Sequence, residues 1–186
     1  VSRGLGDVYK RQDMQNDFID GSLGTKEAVG IVDRVAEVMD SFDGAVICTR
    51  DTHFADYLET SEGRKLPVEH CIEGTKGHAL QDTIQKMAEK KQAVVMNKIT
   101  FGAKNLPEEI EKLAGGVPES IELVGLCTDI CVISNAMLLK AFYPEVPISV
   151  DASACAGVTP QSHKNALEAM KMCQIDIVNE LSLIHI

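Results

Sequence analysis

Residues 121–151 decide the fold: IELVG at 121–125 is followed by DICVISNAMLLKAF at 129–142 and then by PISVD at 147–151. The outer runs are short and almost continuously apolar, as buried strands are, and the stretch between them reads as a helix. Strands joined through a helix lie parallel, and a parallel sheet is covered on both faces. Outward from this unit the alternation repeats. AVICT at 45–49 ends at Arg50–Asp51, AVVM at 93–96 ends at Asn97–Lys98, and Ile175–Val178 is a last strand. Helical spacing is read over 25–41 (Ile31, Val35, Val38), over 79–90, over 107–114 behind Pro107, and over 160–173 behind Pro160. Residues 52–78 form a long polar loop. No repeat or linker interrupts the series, so a single α/β domain is expected.

The chain has 186 residues, enough for one substantial core. Its 18 basic against 28 acidic side chains leave a net charge of −10. That balance argues against nucleic acid and against anionic lipid as partners, since both need a basic face. The apolar runs fall far short of the roughly 20 residues that cross a bilayer. The six cysteines, Cys48, Cys71, Cys127, Cys131, Cys155 and Cys173, read as thiols of a cytoplasmic protein rather than as disulfides. Residues 1–12 (VSRGLGDVYKRQ) carry +2, leaving −12 on the rest, and show neither helix nor strand period. With LSLIHI at 181–186 they are expected to be non-native or disordered flanks of a domain spanning 13–180.

Parallel sheets put their chemistry beyond the carboxyl ends of the strands. The polar residues there are Asp51 with His53, then Lys98, then CTDIC at 127–131; Asp13 joins them if a strand precedes it. An acid, a lysine and a thiol at successive strand ends suit a hydrolytic site.

DMQNDF at 13–18, DTH at 51–53, the lysine after AVVMN and GLCTDICV at 125–132 together resemble the isochorismatase-like cysteine hydrolases, and among them the nicotinamidases. The likeness runs over about residues 13–180, and GLCTDICV is its most specific part. It implies a three-layer α-β-α fold with a mostly parallel, Rossmann-like sheet. It also implies a triad of Cys131 as nucleophile, Asp13 as general base and acid, and Lys98. Thiol chemistry fits these roles. The thiolate is the attacking form, the first turn of a helix at 129–142 and the Lys98 charge would favour it, and Asp13 can take and return the proton. By the same resemblance Leu126–Cys127 is a cis peptide, and the backbone N–H groups of Cys127 and Cys131 form an oxyanion hole. Cys127 and Cys131 have CxxxC spacing rather than the CxxC of redox sites.

Asp51, His53, Glu62 and His70 supply hard and borderline donors within twenty residues. Their kinds suit Zn²⁺ first, with Mn²⁺ or Fe²⁺ as alternatives. Nicotinamidases hold a divalent ion through an Asp-x-His pair and a later histidine, matched by Asp51, His53 and His70, with Glu62 the candidate for the fourth ligand. The second histidine of many members is absent, since Tyr57 and Leu58 stand in that stretch. In the family the ion binds the ring nitrogen of nicotinamide and orients the amide, and an aromatic matched by Phe18 packs on the ring. The aromatic often found before the last metal histidine is replaced by Leu66, Pro67, Val68 and Glu69. His78, His163 and His185 read as structural or surface residues.

The resemblance thus implies a small-molecule amide substrate, a nicotinamidase reaction serving NAD salvage, and a chain able to form homo-oligomers. The alternatives are a related cysteine amidase acting on carbamoyl or ureido compounds and a non-catalytic member keeping the fold. Members place an apolar strand before the aspartate, whereas this chain has DVYKRQ at 7–12.

Overall fold

In a computed structural model describing residues 7–180, six strands form one parallel sheet in the order β3-β2-β1-β4-β5-β6. The strands are β1 (Asp7–Gln12), β2 (Ala45–Asp51), β3 (Val94–Lys98), β4 (Ser120–Leu126), β5 (Ile148–Ala156) and β6 (Asp176–Val178). The helices are α1 (Asn16–Ile19), α2 (Lys26–Gly30), α3 (Val32–Ser41), α4 (Ser61–Lys65), α5 (Asp82–Lys90), α6 (Leu106–Ala114), α7 (Ile133–Phe142) and α8 (Pro160–Met172). Every strand pair is parallel. From β1 the chain steps outward to β2 and β3, then crosses back to β4 and steps the other way. Right-handed crossovers therefore place α2, α3 and α5 on one face and α6, α7 and α8 on the other. The packing agrees: α3 meets α5 and β5, while α6 meets β1 and α7 meets α8.

The three-layer expectation holds, and the local chemistry accounts for most boundaries. Thr159 caps α8 by accepting from Ser162 N–H, with Pro160 opening the helix. Gly115, at φ +74°, ends α6 in the left-handed conformation. The single helix expected over 25–41 is instead two, because the chain tightens at Ile31, whose N–H reaches back to Ala28. β5 runs on to Ala156, five residues beyond the expected end at Asp151.

Residues 7–12 depart most from the sequence reading. Read as part of a flank without strand period, they run as β1 between β2 and β4, with Arg11 in register with Cys48 and Val124. Ladder bonds to two neighbours hold a strand whose sequence lacks the usual pattern. The flank expectation for residues 1–6 and 181–186, and the reading of His185, lie outside the described residues. No helix of the described residues is long and apolar enough to cross a membrane.

Candidate active site

The strand order reverses between β1 and β4, and the crevice beyond their carboxyl ends is where a sheet of this kind binds ligands. Asp13 follows β1 directly. It sits at φ +47°, a conformation costing about 1–3 kcal/mol, and is held there by two bonds to one residue. Its N–H donates to the Thr49 carbonyl at 3.1 Å, and Thr49 Oγ1 donates to its Oδ1 at 2.9 Å. Lys98 ends β3. Its Nζ lies 2.9 Å from Asp13 Oδ2, 3.3 Å from Cys131 Sγ and 3.4 Å from Asp51 Oδ1. Asp13, Lys98 and Cys131 are 1%, 4% and 4% exposed, so the three meet out of water.

Cys131 does not lie in the first turn of a regular helix. Residues 128–132 make a wider turn, in which Val132 N–H donates to the Cys127 carbonyl five residues back at 3.0 Å, before α7 begins at Ile133. Such turns recur at functional sites because they lift a side chain out of the helical register. Asn135 fixes the turn: its Nδ2 donates to the Cys131 carbonyl at 3.0 Å, and its Oδ1 accepts from Ala103 N–H at 2.8 Å. The Leu126–Cys127 peptide is cis, as the resemblance implied.

The electrostatics alter one expectation. Burial, and then the adjacent Asp13 carboxylate, push the Cys131 thiol well above its ordinary range, outweighing the pull of Lys98. Burial thus disfavours the thiolate, and Asp13 stands beside the sulfur where a base would take its proton. Burial pulls the other way on Lys98, but the Asp13 and Asp51 carboxylates beside it hold it charged. Burial raises Cys127 to about 12, so this second thiol is inert as an acid.

Beside this group, Asp51, His53, Glu62 and His70 bring four ligand atoms within 4.8 Å of one another. His53 Nε2 is 3.0 Å from Asp51 Oδ2 and 3.6 Å from Glu62 Oε1; His70 Nε2 is 3.6 Å from each carboxylate. The set fits a divalent cation. The Val68 carbonyl can only accept, so at 2.8 Å it fixes the proton on His70 Nδ1 and turns the Nε2 lone pair toward the carboxylates. Two imidazoles and two carboxylates are donors that Zn²⁺, Mn²⁺ or Fe²⁺ accept. Burial opposes ionisation of Asp51, but its hydrogen bond with His53 and the Lys98 charge hold it well below the usual carboxylate range. Burial, then the Asp51 charge, raises Glu62.

All seven residues named from the sequence as triad and ligands thus lie in two adjoining groups, and the Phe18 ring meets the His70 ring at 5.4 Å, tilted by 59°. Four further residues organise the site. Gln15, fully buried, grips the Asp51 backbone from both sides: its Oε1 accepts from Asp51 N–H at 2.7 Å and its Nε2 donates to the Asp51 carbonyl at 2.7 Å. Tyr57 presents its ring to both histidines, at 4.7 and 5.0 Å, and donates to the Leu66 carbonyl. Gly63 lets α4 close over this turn, since a Cβ there would meet the Tyr57 carbonyl oxygen at 1.9 Å. Asp17 accepts from Cys71 N–H at 2.8 Å and so anchors the residue after His70. Only the DMQNDF motif, which contains Gln15 and Asp17, offered a signal for any of them.

His78 and His163 are both buried, bonded through a ring nitrogen to Thr52 (2.9 Å) and Thr128 (2.6 Å). A cavity of about 660 Å³ opens above Cys131, with Phe18, Cys127, Asp51, Glu62 and His70 also in its wall.

The family model for the isochorismatase domain matches residues 11–179. No curated protein matches the sequence. Among solved structures, the nicotinamidase/pyrazinamidase of Bacillus subtilis is similar at a TM-score of 0.80 and 27% identity, covering 92% of this chain and 98% of that one. The pyrazinamidase of Pyrococcus horikoshii, solved in complex with zinc, is similar at 0.73 and 25%, covering 93% and 98%. The N-carbamoylsarcosine amidase of Thermoplasma acidophilum is similar at 0.73 and 26%, covering 92% and 95%.

Proposed function

The chain belongs to the isochorismatase family, and we propose that it is a metal-dependent cysteine amidohydrolase of nicotinamidase type, converting nicotinamide and water to nicotinate and ammonia. The observation that carries this reading is the contact of Lys98 with Asp13, Cys131 and Asp51, which joins a thiol-and-base pair to a four-donor cation cluster. Hydrolysis of amides is the chemistry its family and similar structures support; the pyridine substrate rests on the cluster beside the thiol.

Asp13 takes the Cys131 proton as the sulfur attacks the amide carbon. Lys98 offsets the negative charge that then gathers around Asp13 and the sulfur. The carbonyl oxygen, turning anionic, is met by the backbone N–H groups of Cys127 and Cys131. The C–N bond breaks with the proton passing from Asp13 to the departing ammonia, leaving a thioester on Cys131. Asp13 next accepts a proton from water, whose oxygen replaces the sulfur, and nicotinate leaves with the thiol restored. Asp51, His53, Glu62 and His70 would hold the ion, Zn²⁺ first and Mn²⁺ or Fe²⁺ as alternatives, which when bound supplies a Lewis-acidic contact for the ring nitrogen. Phe18 packs against the ring. We place the reaction in cytoplasmic NAD salvage, with the expected domain of residues 13–180 extended to include β1 (Asp7–Gln12).

The test is mass spectrometry of protein quenched during turnover of nicotinamide, together with Cys131→Ala. A nicotinoyl adduct on Cys131, and no ammonia release from the variant, are expected. Undiminished release by Cys131→Ala would exclude the nucleophile, and turnover of ureido or carbamoyl compounds alone would replace the substrate class.

A further inference from the structure

The cavity above Cys131 is larger than a single-ring amide needs. Its 660 Å³ falls within the range of about 300–1,000 Å³ that encloses drug-sized ligands. Asp51, Glu62, His70 and Cys131 gather at its inner end. Its mouth is ringed by Leu66 after α4, Ile99 and Phe101 after β3, and Val158 after β5, all part of the wall. These four are 40%, 66%, 44% and 52% exposed. One exposed apolar side chain is ordinary; four around the opening of one cavity mark a surface that an occupant covers.

The rim is held in place by hydrogen bonds from three directions. Tyr57 Oη donates to the Leu66 carbonyl at 2.8 Å, Asn135 Nδ2 to the Phe101 carbonyl at 3.4 Å, and Val158 N–H to both Asp129 carboxylate oxygens at 3.2 Å. The wall offers one cation, Lys65, and no arginine, so an extension bearing a carboxylate or phosphate finds no bidentate partner.

Resting on the amidohydrolase reading above, we propose that the site acts on aromatic carboxamides whose ring carries an apolar extension, with the amide at Cys131 and the extension seated among Leu66, Ile99, Phe101 and Val158. The bonds made and broken are those already given: sulfur replaces nitrogen at the acyl carbon, water replaces sulfur, and ammonia and the extended carboxylate leave.

The metal-supplemented protein is assayed for ammonia release from nicotinamide, from nicotinamides bearing a phenyl or butyl group at each free ring carbon in turn, and from the matching carboxylates. For at least one apolar compound kcat/KM should exceed that of nicotinamide by about tenfold or more, since each apolar carbon leaving water is worth severalfold. The carboxylates should fall below nicotinamide. Val158→Asp should cut the ratio of the best apolar substrate to nicotinamide by about fivefold or more, a ratio that general loss of folding does not move. Nicotinamide turned over with every apolar compound at or below it, or a ratio unchanged in Val158→Asp, overturns the extended-substrate proposal alone. No hydrolysis of any amide by folded protein overturns it together with the amidohydrolase reading.

Discussion

Lys98 Nζ lies 3.4 Å from Asp51 Oδ1 while also contacting Asp13 and Cys131, so one buried ammonium is shared between the reacting pair and the cation cluster. Lys98→Met removes that charge and leaves two buried carboxylates facing each other. Breaking such a pair costs about 3–5 kcal/mol. The variant should therefore melt lower and lose amidase activity, while the loss of a positive charge beside Asp51 should tighten Zn²⁺ binding. A variant that keeps wild-type zinc affinity while losing activity would show that the lysine serves the thiol alone.

The thiol state gives a second test. Since burial disfavours the Cys131 thiolate, its reaction with iodoacetamide should need Asp13 as base. Asp13→Asn should slow alkylation of Cys131 by about 10²–10⁴-fold, the usual worth of a positioned base. Equal rates in the two proteins, followed by peptide mass spectrometry, would remove Asp13 from that role.

His53→Ala deletes one donor of the four-residue cluster. Elemental analysis should find about one zinc per wild-type chain after dialysis against the metal, and a small fraction of that in the variant, because a structural ligand is worth far more than the 10–100-fold of an outer partner. Equal metal content would end the assignment.

Burial lowers the basicity of His163, so the fold keeps the ring neutral. A folded value below the unfolded one of about 6.5 means this contribution is complete above that pH and lost as pH falls through the window beneath it. His163→Gln, which can keep a bond to Thr128, should therefore lose less melting temperature than wild type between pH 8 and pH 5.5. Parallel losses in the two proteins would contradict the buried neutral ring.

β1 supplies the stability test. DVYKRQ brings Asp7, Lys10 and Arg11 to a central strand of a parallel sheet, a place normally covered on both faces. Exchanging Lys10 and Arg11 for valine and isoleucine should raise the melting temperature, by roughly 2–4 °C for each kcal/mol gained. An unchanged or lower value would show that the charges are accommodated.

The parts of the fold legible in the sequence were those with a period. β2 to β5 each carry an apolar run, and their ends delivered Asp51, Lys98 and the turn holding Cys131. β1 was illegible because DVYKRQ has no such run and gains its place from ladder bonds to β2 and β4. The loop 52–78 hid the short helix α4 and the Tyr57 turn, which are set by packing around His53 and His70 rather than by any amphipathic pattern. Gln15 and Asn135 were missed as organisers for a related reason. A side-chain amide that grips a backbone 36 or 32 residues away obeys no local spacing, and only the assembled fold brings Gln15 to Asp51 and Asn135 to Ala103.

The union of the thiol pair with the cation cluster is tested most directly by ammonia release from nicotinamide, measured before chelation, after chelation and after zinc is restored. Activity that falls to a few per cent of its starting value on chelation, taking about tenfold or more from the rate, and returns with zinc is the expected result. Hydrolysis that proceeds undiminished in chelator, or no hydrolysis by zinc-loaded protein, would contradict it.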